Sequence, residues 1–270
     1  MQILVVPALS PLCIGIIKSI KAKLQNRVGA SVFQPYRDLW KLLHKDEVVS
    51  RDASWIFLYA PYIVFAVTIV VGASIPLFAS FLRNEMTGDL LTVVYLLAIG
   101  TFFLALAGMD TGSAFGGFGS SREMTISALA EGGLIFTLLA IALSAGTTNL
   151  FVISDVGVFT LGFTILPLAL AFIGFFIVLL AETARFPFDN PATHLELTMI
   201  HEAMILEYSG KRLALMEWAS ANKLMLFIAL GANIFFPWGL AGSSGIVEVF
   251  TGIAVLLLKV IIFGVAIALL

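Results

Sequence analysis

The sequence predicts an all-α, polytopic transmembrane helix bundle, and three observations lead there. Sixty per cent of the 270 residues are hydrophobic and only 12% are charged; mean hydropathy is +1.05. Soluble domains carry roughly 45–50% apolar and about 25% charged residues. Apolar runs long enough to cross a hydrocarbon core of about 30 Å, which takes roughly 20 helical residues, recur along the whole chain. Seven are read, at 3–20, 55–82, 89–110, 124–146, 160–181, 218–238 and 246–270. The third observation is that the basic residues fall almost entirely on one side of these spans.

The spans leave no room for a soluble domain, so 1–270 reads as one integral membrane domain with no repeat or linker. Span one has no Lys or Arg before Lys18. A cleaved signal peptide would carry a basic front, so this run is expected to stay as a helix. It holds Cys13, the single cysteine. One cysteine makes no disulfide, four-cysteine cluster site or cysteine-based zinc site within the chain, and any redox centre belongs to another subunit.

Residues 21–52 form a basic loop containing a short helix. Phe33, Tyr36, Leu39, Trp40 and Leu43 recur at helical spacing around Pro35, with Arg37, Asp38, Lys41 and Lys45 opposite. Such a helix lies in the membrane plane or packs on a partner. After span three, Gly116-Gly-Phe-Gly119 follows no strand and reads as a tight turn. Span four carries Glu131 about two turns in, beside Gly132 and Gly133, which let a helix or water approach. Span seven carries Lys259 near its middle. Ionisable groups inside spans face the bundle interior and mark ion pathways, or else form buried structural pairs.

Span five ends at Glu182 and opens the acidic segment 182–217. Asn190-Pro191 reads as an N-cap followed by proline at the first helical position, starting a helix of about 16 residues that runs to Tyr208 before Gly210. On that helix Glu196 and Glu207 would align within about 20°, with His194 and His201 on the opposite side. Asp189, at the positive helix end, fits a cap and a functional acid equally. His201-Glu202 is not a zinc-protease motif, because Ile205 stands where the second histidine would be. No nucleophile constellation, phosphate loop or dinucleotide fingerprint accompanies it, and no metal or nucleic-acid site is expected.

Thirteen basic residues share one side: Lys18, Lys21, Lys23, Arg27, Arg37, Lys41, Lys45, Arg51, Arg122, Arg185, Lys211, Arg212 and Lys223. The opposite loops hold only Arg83. The positive-inside rule then puts the amino terminus outside and the charged loops in the cytoplasm.

Four motifs in order carry a resemblance: Asn26-Arg-Val-Gly29; Gln34-Pro35 with Lys41-Leu-Leu43; Ala181-Glu-Thr-Ala-Arg-Phe-Pro-Phe-Asp189; and Glu207-Tyr-Ser-Gly210. The chain resembles the NADH dehydrogenase subunit 1 family of respiratory complex I over most of its length. The stretches 110–123 and 189–202 are similar to the branch of membrane anchors of energy-converting (group 4) [NiFe] hydrogenases, the formate hydrogenlyase type. That resemblance implies a noncatalytic subunit of the prokaryotic cytoplasmic membrane. It would dock the [NiFe] large and iron–sulfur small subunits, lie beside antiporter-like membrane subunits, and help couple hydrogen formation to proton or sodium movement. The [NiFe] centre and iron–sulfur clusters would sit in those partners, with no cofactor on this chain.

By the same resemblance Glu182, Arg185, Asp189, Glu196 and Glu207 are the coupling region, with Glu131 leading into the bilayer; Lys259, as a charge within a span, and Glu202 are further proton-coupling candidates. Arg27, Arg37, Arg122, Arg185, His194, His201, Lys211 and Arg212 are candidates for docking; topology and lipid contact explain several of them equally. Quinone is not expected, since Ala192 and Thr193 stand where the quinone branch is often acidic. A quinone-site subunit of a complex I relative and a free-standing transporter are the alternatives. The family pattern also implies a basic loop and an eighth span beyond Leu270.

Overall fold

A helix whose second half is apolar nearly all round belongs inside a bundle, surrounded by others. In the computed structural model, which describes residues 2–50, 52–80, 87–156, 165–189, 199–242 and 245–270, that helix is α9 (Gly210–Phe235). Every residue from Leu224 to Phe235 is buried. Around it pack α1 (Gln2–Leu24), α2 (Gln34–Leu43), α3 (Trp55–Ser74), α6 (Leu150–Val156), α7 (Ile165–Glu182) and α10 (Ile246–Ala268). The remaining long helices, α4 (Leu90–Asp110) and α5 (Ala114–Ala145), continue the bundle through the series α3–α4–α5–α7, and α8 (His201–Ile205) lies against α4 and α5. Six of the helices are long and apolar enough to cross a membrane, and α7 is a shorter apolar helix. This is a multi-pass membrane protein.

The helix ends follow local chemistry. Asp110, at the end of α4, accepts hydrogen bonds from the Ser54 and Phe57 amides (2.7 and 3.3 Å) and from the Ser54 hydroxyl (2.6 Å). It thereby satisfies amides that the first turn of α3 leaves without helical partners. Asp89 caps α4 through the Leu91 amide at 3.2 Å. The second apolar run, expected to reach residue 82, stops being helical at Ser74, where Ile75 turns extended ahead of Pro76. The residue before a proline disfavours helical backbone. Arg83 of that loop lies outside the described residues.

The expected turn at Gly116–Gly119 is not one. These residues form the first turns of α5, which starts at Ala114. Their smallness serves helix packing: a Cβ at Gly116 would meet the Gly108 carbonyl oxygen of α4 at 2.1 Å. One at Gly119 would meet the Ile200 carbonyl oxygen at 2.9 Å. Glycine lets the backbones of α4, α5 and the α8 segment approach this closely.

The cytoplasmic helix expected over 191–208 is not continuous. Residues 190–198, including His194 and Glu196, lie outside the described residues; Met199 and Ile200 are not helical. Helix starts afresh at His201 because Asp189 accepts the Ile200 and His201 amides at 3.2 and 3.1 Å. Asp189 is therefore a cap, but of a helix that begins twelve residues later. The short basic-loop helix is present as α2, with Phe33 and Trp40 exposed and the Tyr36 hydroxyl donating to the Ala8 carbonyl at 2.5 Å.

Candidate functional site

An acid ending an apolar helix becomes informative when a base inside another helix reaches it. Glu182, the last residue of α7, is buried, and its Oε2 lies 2.8 Å from Lys223 Nζ on α9. Its Oε1 accepts a hydrogen bond from Ser127 Oγ of α5 at 3.3 Å. Lys223 also donates to Thr101 Oγ1 of α4 at 3.1 Å. Four helices thus converge on one ion pair. Glu123, buried one turn before Ser127 on α5, joins them in lining a cavity of about 40 Å³ shared with Thr101, Thr183, Lys223 and His201. Apolar residues line most of it, and Glu123, Glu182, Lys223 and His201 are its ionisable members.

Along α5, Glu123, Ser127 and Glu131 are spaced four residues apart and keep to one side of the helix, spanning about 12 Å of its length. Glu131 is partly buried, and Glu182 and Lys223 both act on it electrostatically. Gly133 beside it takes the approach of Val178 from α7, whereas a Cβ at Gly132 would meet nothing within 4 Å.

Toward the mouth of this group stand three more ionisable side chains. Asp189 is 3% exposed; one carboxylate oxygen caps α8 and the other is buried with no hydrogen-bond partner among the described residues. Arg185 Nε and His201 Nε2 are buried in the same condition. Buried polar atoms need hydrogen-bond partners, and of these three residues His201 lines the cavity. Burial, reinforced by the positive charges of Lys223 and Arg185, depresses His201 from 6.5 to about 4, so its ring is neutral near pH 7. Burial also lowers the Arg185 guanidinium. Burial first, and then the Asp189 charge, raise Glu202.

The other sequence-identified residues are placed apart from this centre. Glu207 is exposed; the inward residue of its motif is Tyr208, which stacks on Phe57 (centroids 4.0 Å apart, planes within 3°) and donates to the Phe57 carbonyl at 2.9 Å. Ser209 Oγ bridges the Val48 amide and carbonyl, both at 2.8 Å. Arg212 is tied to Glu47 at 2.6 Å and to the Leu58 carbonyl at 3.1 Å, so it staples the basic loop to α9 and α3. Arg27, Arg37 and Lys211 are exposed, and Arg122 lies 4.9 Å over the Phe118 ring. Lys259 belongs to a separate group, donating to Asn233 Oδ1 at 2.8 Å.

Two members of the centre are missed by sequence reasoning. Lys223 is counted with the cytoplasmic cations, yet it is half-buried on α9, where its amine reaches α4 and α7. Its signal is present in the sequence: Asn222-Lys223 interrupts an apolar run, and a charge in that setting marks a site. Glu123 is hidden by reading the glycines before it as a turn, which puts it at a span's edge instead of three turns into a helix.

The comparisons with known proteins agree with this architecture. Residues 1–270 match the family described as NADH dehydrogenase. The chain is 35% identical over 262 residues to hydrogenase-4 component C of Escherichia coli (strain K12), covering 97% of this chain and 82% of that one. It is 34% identical over 238 residues to formate hydrogenlyase subunit 4 of the same organism, covering 88% and 76%. Among solved structures, a chain of the membrane-bound sulfane sulfur reductase, an archaeal respiratory membrane complex, superposes with a TM-score of 0.83 at 25% identity, covering 98% and 85%. The chain belongs to the NADH dehydrogenase family.

Proposed function

We propose that this chain is the membrane subunit of a [NiFe]-hydrogenase-type complex, in which it seats the peripheral redox arm and helps couple electron transfer and hydrogen formation to ion translocation. The family match and the similarity to hydrogenase-4 component C and formate hydrogenlyase subunit 4 support this reading. The observation that carries the coupling role is the ion pair of the buried Glu182 with Lys223, with the buried Glu123 beside it. Two carboxyls and one amine around a small cavity supply the acceptors and the donor that a proton passing between helices needs.

In this reading the amino terminus is outside and the charged loops face the cytoplasm of a prokaryotic cell. Asp189, Arg185 and His201 lie between the docked arm and the buried centre. A redox event in the arm shifts the charge or position of the 182–205 segment; because Asp189 holds the α8 amides while Glu182 holds Lys223, that shift reaches the centre within a few residues. Glu131 extends the path deeper along α5. The nickel–iron and iron–sulfur chemistry belongs to the partner subunits.

Purification of the intact complex in mild detergent, with subunit mass spectrometry and nickel and iron analysis, tests the assignment. Copurification of a nickel-containing hydrogenase pair is the expected result. A nickel-free assembly, or a chain that purifies alone, would overturn it.

A further inference from the structure

Composition alone leaves the basic-loop helix either in the membrane plane or on a partner, and its level in the bundle decides between the two. Helix α2 packs on the flank of α1 and α9. Its Pro35, Leu39 and Leu42 wall a cavity of about 250 Å³ together with Ile14 and Lys18 of α1 and Glu217 of α9. The chain entering α2 lies against α1 at Gly15, where a Cβ would run into the Val32 carbonyl oxygen. Residues 1–17 hold no charged side chain, and Lys18 is the first cation. Helix α2 is therefore level with the boundary between the apolar and the charged parts of α1. On α9 the same level is Glu217, about 10 Å from the charged end at Gly210 at 1.5 Å per residue.

The side of α2 turned away from the bundle has its own pattern. At 100° per residue, Phe33, Arg37, Trp40, Lys41 and His44 fall within an arc of about 100°, and all five are exposed. Phe33 and Trp40 are 62% and 68% exposed. Arg37 and Lys41 form no ion pair among the described residues. Asp38, the acid of this helix, lines the cavity instead and accepts a hydrogen bond from Gln34 Nε2 at 2.9 Å. It is also the first acid of the chain, so Lys18, Lys21, Lys23, Arg27 and Arg37 precede it without any negative side chain among them.

We infer that this face of α2 binds phospholipids of net negative charge, with Arg37 and Lys41 on the headgroup phosphates and Phe33 and Trp40 at the roots of the acyl chains. A subunit docked on the charged ends of the helices stands about 10 Å beyond this level. A neighbouring transmembrane helix, or a further span of this chain, would be seated by small residues, and the face has none. Aromatic rings interleaved with cations at the edge of the hydrocarbon are what an interfacial helix presents to lipid. The cations selectively favour anionic headgroups, since no acid on this face opposes them.

Only membrane crossing is required for this, so the test stands apart from the hydrogenase assignment. The chain, with the subunits that copurify with it, is placed in nanodiscs of equal parts phosphatidylglycerol and phosphatidylcholine. The photoreactive amino acid benzoylphenylalanine occupies position 40, and adducts are read by mass spectrometry after irradiation. Adducts to phosphatidylglycerol should exceed those to phosphatidylcholine about fivefold or more. Arg37→Gln combined with Lys41→Gln, both at exposed positions, should bring that ratio close to one. Adducts chiefly to protein, no lipid adduct, a ratio close to one with both cations present, or a ratio that the double substitution leaves unchanged would each overturn the inference.

Discussion

Glu182 Oε2 and Lys223 Nζ are held 2.8 Å apart where the end of α7 meets the middle of α9, and Thr101 and Ser127 complete their hydrogen bonds from two further helices. Such a pair is weak testimony to stability in itself, since desolvation offsets most of the attraction. Removing one partner is another matter.

Lys223→Met should leave the Glu182 carboxylate buried and unpaired, destabilising the protein by about 3–5 kcal/mol. Lys223→Met combined with Glu182→Leu should recover most of that loss. Thermal unfolding in detergent of both single variants and the double variant gives the coupling; additive losses would mean that the pair does not act as a unit.

The glycines at the start of α5 make a paired prediction. A Cβ at Gly116 meets the Gly108 carbonyl oxygen at 2.1 Å, whereas one at Gly117 meets nothing within 4 Å. Gly116→Ala should therefore destabilise by about 1–3 kcal/mol through overpacking. Gly117→Ala, at an open helical position, should stabilise by up to about 1 kcal/mol. The same thermal measurement reads both, and equal effects would point to the turn that the sequence alone suggests.

His201 gives a pH dependence of definite sign. Its folded value of about 4 lies below the ordinary 6.5, so between those pH values the unfolded chain binds a proton that the folded chain refuses. The stability it contributes is fully present above about pH 6.5 and is lost as pH falls toward 4. His201→Gln should flatten this part of the stability profile, by up to about 1.4 kcal/mol per pH unit. Parallel profiles for the two proteins would mean that the ring is not buried neutral.

Asp189→Asn keeps an oxygen for the Ile200 and His201 amides but removes the charge. It should leave subunit stoichiometry intact and lower ion translocation per hydrogen formed, whereas Asp189→Leu should also lose the α8 cap at about 0.5–2 kcal/mol. Equal coupling in wild type and Asp189→Asn would confine Asp189 to capping.

The helices were legible because span length and one-sided basic loops are local properties, carried by runs such as 89–110 and by the cations of the 21–52 loop. The site was legible in part. Glu182 and Asp189 stand in a dense motif that draws attention, and both are buried. Lys223 carries a local signal as a charge within an apolar run, but which residues it joins, and that Glu123 belongs with it, follow only from the packing of α4, α5, α7 and α9. Glu207 shows the converse: it sits in an equally prominent motif, but α8 and the following turn point it outward while Tyr208 faces in. Whether Gly116–Gly119 bends a chain or lets helices touch likewise depends on packing, against Gly108 of the preceding helix and against Ile200 far along the chain.

The most direct test of the account is the ratio of protons translocated to hydrogen formed by the assembled complex in sealed vesicles, measured for wild type and Glu123→Gln. Glu123 lines the cavity beside the ion pair, and no hydrogen bond from it holds a helix end among the described residues, so assembly should survive the change. Hydrogen formation is expected to continue with the proton ratio reduced about tenfold or more. A wild-type ratio in the fully assembled variant would contradict a coupling role for this buried centre.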